Sequence, residues 1–393
     1  MNKPKIKILF VTIHAGIGGI ERAFVNLINE LSKTKRFEID IFMFTHKGLF
    51  FDAFPNDIHF YPENNLLRLI GITQKEAWNE GFKVGIKRLF IGGISKYISQ
   101  KSAYKTAMQN VNKMEGYDIV ISFMQSKTAS LYGGTNELVL NKVSAKKYCT
   151  FIHADLEKSN MITKYNYEVY KKFDKVASVS KSCERLFINT WPDLYEKACT
   201  VENCCNIDEI RELSEEEISY KRSTINFVTV ARFGPEKGIV RGIKIFAKLK
   251  EYSNLYTWHI VGTGVEEAKA RELVKKEGLE DNIIFHGEKK NPFPYMKNSD
   301  ALLIPSYREA APMVIQEAHV LGIPVLSTET RSAREMIEDG KIGIVCENSD
   351  EGIYQMLINL LHNTSLLKRI RNNICRKENN NRQIDQFTDM ICG

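Results

Sequence analysis

At 393 residues, with 43% apolar and 26% charged side chains, the chain is long for one core and too apolar for a disordered polymer, so two folded domains are expected. The formal net charge of +7 is concentrated: nine basic against three acidic residues lie between Asn64 and Gly116, which suits an anionic partner such as membrane lipid or nucleic acid. Eight cysteines without a CxxC pair argue against structural zinc and fit a reducing cytoplasm, and no apolar run approaches the roughly 18 residues of a membrane span.

Lys7–Ile13 has too short an apolar run for a signal peptide, and GIGG stands where a cleavage site would fall. It is expected to be a first buried strand. A glycine-rich exit, HAGIGGIE, leads into a helix with Ile20, Ala23, Phe24, Leu27, Ile28 and Leu31 at helical spacing. Strand, turn and helix make the first unit of a doubly wound α/β domain. Gly18 and Gly19 allow a phosphate or sugar close to the backbone, or simply serve a turn. A dinucleotide fingerprint is not matched, because position 21 is Glu.

Phe37–Thr45 and Ile58–Tyr61 read as further strands. Phe82, Ile86, Leu89, Phe90 and Tyr97 then recur at helical steps with Lys83, Lys87 and Arg88 between them. That pattern describes an amphipathic basic helix, which either lies on an anionic membrane or turns a charged side to solvent. Tyr117–Phe123 and Lys147–Ile152 are the next buried strands. His153 follows directly, at the strand end where α/β folds bind ligands, although a lone histidine is more often structural. Val176–Val179 precedes another helix. A polar run to Arg222 separates this half from a fresh strand at Asn226–Val230, so the domains are placed at 1–205 and 206–375, with a tail at 376–393.

The second half carries the sharper motifs. RFGPEKG follows the strand at 226–230, putting Arg232 at the sheet's carboxyl edge and Lys237 at the start of a helix. Two cations there provide counter-charge for a diphosphate without a metal. Tyr256–Val261 is a strand with GTG as its turn, and Ile283–Phe285 is a strand that ends in HGEKKN. Ala301–Ile304 then stops at Pro305–Ser306. Pro312 fits the first position of a helix closed by Gly322 and Pro324, with the amides of Met313 and Val314 free to meet an anion. Glu309 lies before that helix and Glu317 inside it. Carboxylates beside an anion site suit hydroxyl donors, and a nucleotide-sugar satisfies both demands.

The pair of glutamates at E-x7-E, with Arg232-Phe233 and Glu236-Lys237-Gly238 upstream, resembles the retaining glycosyltransferases of family 4, which have the GT-B fold: two Rossmann-like domains facing across a cleft. The resemblance implies sugar transfer from a nucleotide-diphosphate sugar with no metal or other cofactor. Arg232 and Lys237 would face the diphosphate, Glu309 the sugar and Glu317 the ribose. Ala311, Pro312, Met313 and Val314 would line the donor, and backbone groups around Gly262, Gly264, Glu288, Lys289 and Lys290 would form the wall for its base. Gly18, Gly19 and Glu21 would lie on the acceptor-side domain, and His153 would point at the transferring sugar. It also favours a lipid-linked or glycan acceptor, with membrane contact through residues 64–116 at the cytoplasmic face. The chain departs from the family at Ala310, and at Arg331-Ser332 where many members carry Gly-Gly. The latter is seen in a subset that builds bacterial surface polysaccharides. A non-hydrolysing nucleotide-sugar epimerase and an idle partner subunit of the same fold are the rival readings; nucleic-acid binding has no supporting motif.

Overall fold

The computed structural model describes residues 4–16, 18–125, 131–220, 224–250, 255–363, 365–377 and 379–393. The chain divides into two compact units, one running to Cys204 and resuming at Asn380–Gly393, the other spanning Cys205–Asn379.

The first unit is built on a parallel sheet of seven strands in the order β3-β2-β1-β4-β5-β6-β7. These are β1 (Ile6–Thr12), β2 (Phe37–Met43), β3 (His59–Phe60), β4 (Met114–Ser122), β5 (Val143–Ile152), β6 (Lys175–Ser178) and β7 (Ala198–Thr200). Helices cover both faces, so the central strands are apolar almost throughout: Ile8, Leu9, Phe10 and Val11 of β1 are all fully buried. The helix Gly19–Lys33 buries Ala23, Phe24, Leu27, Ile28 and Leu31 against one face, with Glu21 in its first turn and Lys33 in its last, both favourable to the helix dipole. The closing helix, Asn381–Cys392, belongs to the same core. Its Phe387 stacks on Phe10, ring centroids 6.1 Å apart, and meets Phe37 edge-on.

The second unit has six parallel strands in the order β10-β9-β8-β11-β12-β13: β8 (Ile225–Val230), β9 (Tyr256–Val261), β10 (Ile283–Gly287), β11 (Ala301–Ile304), β12 (Val325–Thr328) and β13 (Gly343–Cys346). Trp258 is fully buried, its indole N–H donating to Thr229 Oγ1 at 2.9 Å. Gly242 lies beneath it, where a Cβ would come within 2.5 Å of the ring.

Several boundaries differ from the sequence expectation. The second strand stops at Met43 and the third shrinks to two residues. The charged run after Cys205 contains a helix, Ile207–Leu213, capped by the Asn206 side chain accepting from Glu209 N–H. Two apolar residues, Ile207 and Ile210, bury its inner side, which a largely charged heptapeptide conceals from a periodicity reading. Pro312 is the N-cap rather than the first helical residue, with extended ψ of 127°, and the helix runs Met313–Leu321. Among the described residues no helix is long and apolar enough to cross a membrane.

Candidate functional site

In a doubly wound sheet the strand order reverses once, and the loops leaving the two strands at that point splay apart to leave a crevice. In the second unit the reversal lies between β8 and β11, so the loops carrying Lys237 and Glu309 meet there. Lys237 Nζ donates to Glu309 Oε1 at 2.7 Å and Oε2 at 3.0 Å. Ser306 Oγ donates to the same Oε1 at 2.8 Å, fixing the carboxylate from its other side. Both side chains are largely shielded, at 22% and 11% exposure. Backbone contacts lock the two loops: Tyr307 N–H donates to Glu236 O at 2.8 Å, and Gly238, at φ +67°, has no room for a Cβ, which would fall 2.0 Å from Pro305 O. Arg232 leaves the same loop with its side chain 73% exposed, 3.8 Å from Glu236 Oε1. The ammonium is therefore matched to a carboxylate, while the guanidinium of Arg232 stands open to solvent.

The helix Met313–Leu321 begins beside this pair. Its N-cap proline offers no side-chain acceptor, so the first-turn amides have no side-chain cap. Ala311, Pro312 and Val314 are half-buried and Met313 is buried. Because the helix starts only at Met313, Glu309 is free of its periodicity, and the eight-residue spacing does not separate it from Glu317 as one continuous helix would. Glu317 is buried at 6% exposure. Gly262, at φ +139°, packs on Ala231 O and donates its N–H to Gly287 O at 2.8 Å, so this amide is already engaged. Glu288 and Lys289 are exposed beyond it, with Lys289 Nζ 5.8 Å from the Tyr295 ring centroid.

A second layer supports the loop. Arg241, with its side chain 2% exposed, donates to Asn348 Oδ1 through both Nη atoms (3.0 and 2.9 Å) and stacks over the Tyr307 ring at 4.2 Å. Asn348 Nδ2 in turn donates to Tyr307 O and Glu329 O, each at 3.0 Å. Neither residue has a motif; they are single polar positions 107 residues apart, joined only by the fold.

In the first unit, His153 follows β5, half-buried, stacked on Phe151 with centroids 5.6 Å apart. Its Nε2 meets Phe123 O at 2.8 Å and therefore carries the proton, and its own N–H donates to Gln125 Oε1. Burial pushes the imidazole down to about 4, opposed by the Phe123 carbonyl, so the ring is neutral near pH 7 with Nδ1 as its remaining acceptor. Asp155 accepts from the amides of Glu157 and Lys158, both at 3.1 Å, which accounts for it structurally. Gly19 opens the Gly19–Lys33 helix; over Gly18 the Glu21 carboxylate folds back, so a Cβ there would lie 2.2 Å from Oε2. Sequence reading passed over His14 and Tyr132. Gly16 N–H donates to His14 Nδ1 (2.9 Å), His14 Nε2 meets Tyr132 Oη (2.9 Å), and Tyr132 donates to Glu21 Oε1 (3.3 Å). The available signal was His14 at a strand exit, the same position that singled out His153. Among the described residues no cluster of three or more His, Cys, Asp or Glu is placed to hold a metal ion.

Residues 211–377 match the family model described as Glycosyl transferases group 1. An uncharacterized glycosyltransferase of Methanocaldococcus jannaschii, MJ1059, is 28% identical over 183 residues, 45% of each chain. The putative colanic acid biosynthesis glycosyltransferase WcaL of Salmonella typhimurium is 29% identical over 184 residues, 42% of this chain and 45% of that one. The chain thus spans about half the length of these two relatives. A crystal structure of a TarM variant from S. aureus, in complex with fondaparinux, alpha-GlcNAc-glycerol and UDP, superposes with TM-score 0.69. It covers 99% of this chain and 100% of that one at 14% identity. The architecture shared with it, two doubly wound parallel-sheet units, is the GT-B fold.

Proposed function

We propose that this chain, whose residues 211–377 match the Glycosyl transferases group 1 model, moves a sugar from a nucleotide-diphosphate donor to an acceptor hydroxyl and retains the anomeric configuration. The observation that carries the reading is the Lys237–Glu309 pair beside a helix start that has no side-chain cap, at the strand-order reversal of the second sheet. Without donor, each group satisfies the other. A diphosphate at the helix N-terminus would take Lys237, with Arg232 swinging in from solvent, and release the Glu309 carboxylate to the hydroxyls of the sugar. Glu317 would hold the ribose, and the 311–314 segment with Gly262, Glu288 and Lys289 would line the nucleotide. His153, neutral and able to accept through Nδ1, suits a sugar hydroxyl; Gly18 and Gly19 sit on the same unit.

In the reaction, the acceptor oxygen bonds to the anomeric carbon as the bond from that carbon to the phosphate oxygen breaks. The acceptor proton passes to the departing phosphate on the same face, so no protein nucleophile or metal is required. Lys237 and Arg232 stabilise the negative charge as it develops, which is where fixed cations lower a barrier most. The setting proposed is bacterial surface glycan assembly in the cytoplasm, on a lipid-borne or glycan acceptor, with residues 64–116 against an anionic membrane.

The test begins with a panel of UDP-, GDP- and ADP-sugars, read as a rise in melting temperature. With the donor and acceptor so found, Glu309→Gln is expected to fold normally and to transfer about a hundredfold more slowly or worse. Wild-type rates in that variant would remove Glu309 from the mechanism. A chelator is expected to leave the rate unchanged; loss restored by Mg²⁺ would overturn metal independence.

A further inference from the structure

The helix Phe82–Tyr97 is apolar on two sides. It turns Gly85 and Ile91 inward, with Val84 and Ile94 packed at the core margin. Its large apolar side chains point out: Phe82, Ile86, Leu89, Phe90 and Tyr97 are 73%, 46%, 51%, 64% and 79% exposed. At steps of three and four residues these five fall on one face, opposite the buried one. Water is a poor neighbour for so much contiguous apolar surface, and such patches mark interaction sites. Lys83, Lys87 and Lys96 flank the face, and from Gly81 to Met114 there are seven basic residues and no acidic one. An apolar stripe rimmed only by cations matches an anionic bilayer, since a protein partner's acidic rim would not by itself require protruding phenylalanines.

The same helix supplies one more group. Arg88 turns away from the exposed face into a cavity of about 450 Å³ that His14, Thr45, Lys47, Ile72, Thr73, Glu76 and Tyr132 help to line. Its Nε donates to Ile72 O at 3.1 Å, and among the described residues no carboxylate pairs with it. Burial lowers its pKa, because its charge is held away from water. By contrast, the neighbouring cations Lys47 and Arg68 are both satisfied by Glu80. A half-buried guanidinium with its Nη atoms unmatched, inside a cavity with a largely apolar lining and directly behind a membrane-seeking face, is arranged for an anion that arrives from the membrane.

We propose that this cavity receives the phosphate of a lipid-borne acceptor, held by Arg88, while Phe82, Leu89 and Phe90 enter the acyl layer. The inference rests on the sugar-transfer reading only for the word acceptor; the lipid-phosphate site stands on the first unit alone. Sedimentation is measured with three vesicle types: phosphatidylcholine, phosphatidylcholine with phosphatidylglycerol, and phosphatidylcholine with a polyprenyl diphosphate at matched surface charge. The full chain is expected to ignore the first, bind the second and bind the third most tightly. Arg88→Ala should erase the preference for polyprenyl diphosphate over phosphatidylglycerol, a loss of about fivefold for one basic group near the surface. Arg88→Lys should restore part of it. Phe82→Ser with Phe90→Ser should abolish binding to all vesicles while leaving the melting temperature within a few degrees, since both side chains are exposed. Inorganic pyrophosphate in excess is expected to compete for the third type; if it raises the melting temperature without any vesicle binding, the site serves a free anion and the lipid proposal fails. Equal preference in Arg88→Ala and wild type overturns the phosphate site. Donor binding, followed by thermal shift on the same variants, reports separately on the second unit: vesicle binding without any nucleotide-sugar response would sink the transferase reading and leave this one intact.

Discussion

Glu309 and Asn348 show how two polar residues in one unit divide their work. Glu309 is paired to the Lys237 ammonium and the Ser306 hydroxyl beside a helix start, whereas Asn348 joins a buried guanidinium to two carbonyls. Truncating Asn348 to Ala strands the Arg241 charge with only Asp350, at 3.5 Å, nearby, and frees the Tyr307 backbone two residues before Glu309. A loss of about 1–3 kcal/mol in denaturant titration is expected, together with a raised donor KM. An effect below about half a kcal/mol would mean the network adds nothing to the loop. Arg232, Lys237 and Glu309 were legible in position because each sits at a strand exit or a helix start, and Glu317 because it lies inside the helix bounded by Pro312 and Gly322; punctuation by Gly and Pro makes such positions readable. Arg241, Asn348 and Tyr132 were not, because no spacing rule links residues that meet only through the sheet order.

At the scale of elements, the basic helix was anticipated from its three- and four-residue steps, but its orientation was left open between two alternatives. Periodicity says that a helix has an apolar side; it does not say which side the core takes, and here small residues and Ile91 take the inner place. The terminal helix posed the same difficulty in reverse. The structure buries its Phe387, Met390 and Ile391, and Phe387 packs on Phe10 and Phe37. Phe387→Ala is expected to cost about 3–5 kcal/mol, and the loss should fall on the first unit. Hydrogen exchange that rises in β1 and β2 while the β8–β13 sheet keeps its protection is the outcome to look for; uniform loosening of both sheets would contradict it.

For the molecule as a whole, each strand order has one reversal, and in the second sheet the loops of Lys237 and Glu309 meet there by topology rather than by proximity in sequence. The same packing sets an acid limit. His259 is stacked on Tyr220 with centroids 3.7 Å apart, bonded to Asn226 and His286, and pushed down to about 3 by burial and by the neighbouring His286. His153 in the other unit is held down to about 4. The unfolded chain binds protons at these histidines from about pH 6.5 downward, whereas the folded one resists them until much lower pH. Stability is therefore expected to be complete above about pH 6.5 and to drain away between there and about pH 4. A melting temperature that is flat across that window would refute it; His259→Asn should flatten the fall selectively in the second unit.

The return of residues 380–393 to the first unit has a consequence for biosynthesis. As the polypeptide leaves the ribosome, its second half can complete its own sheet while the first still lacks the strip that seals Phe10. The first unit is thus completed after the second, so a premature stop codon just before Asn380 is expected to injure the first unit and spare the second.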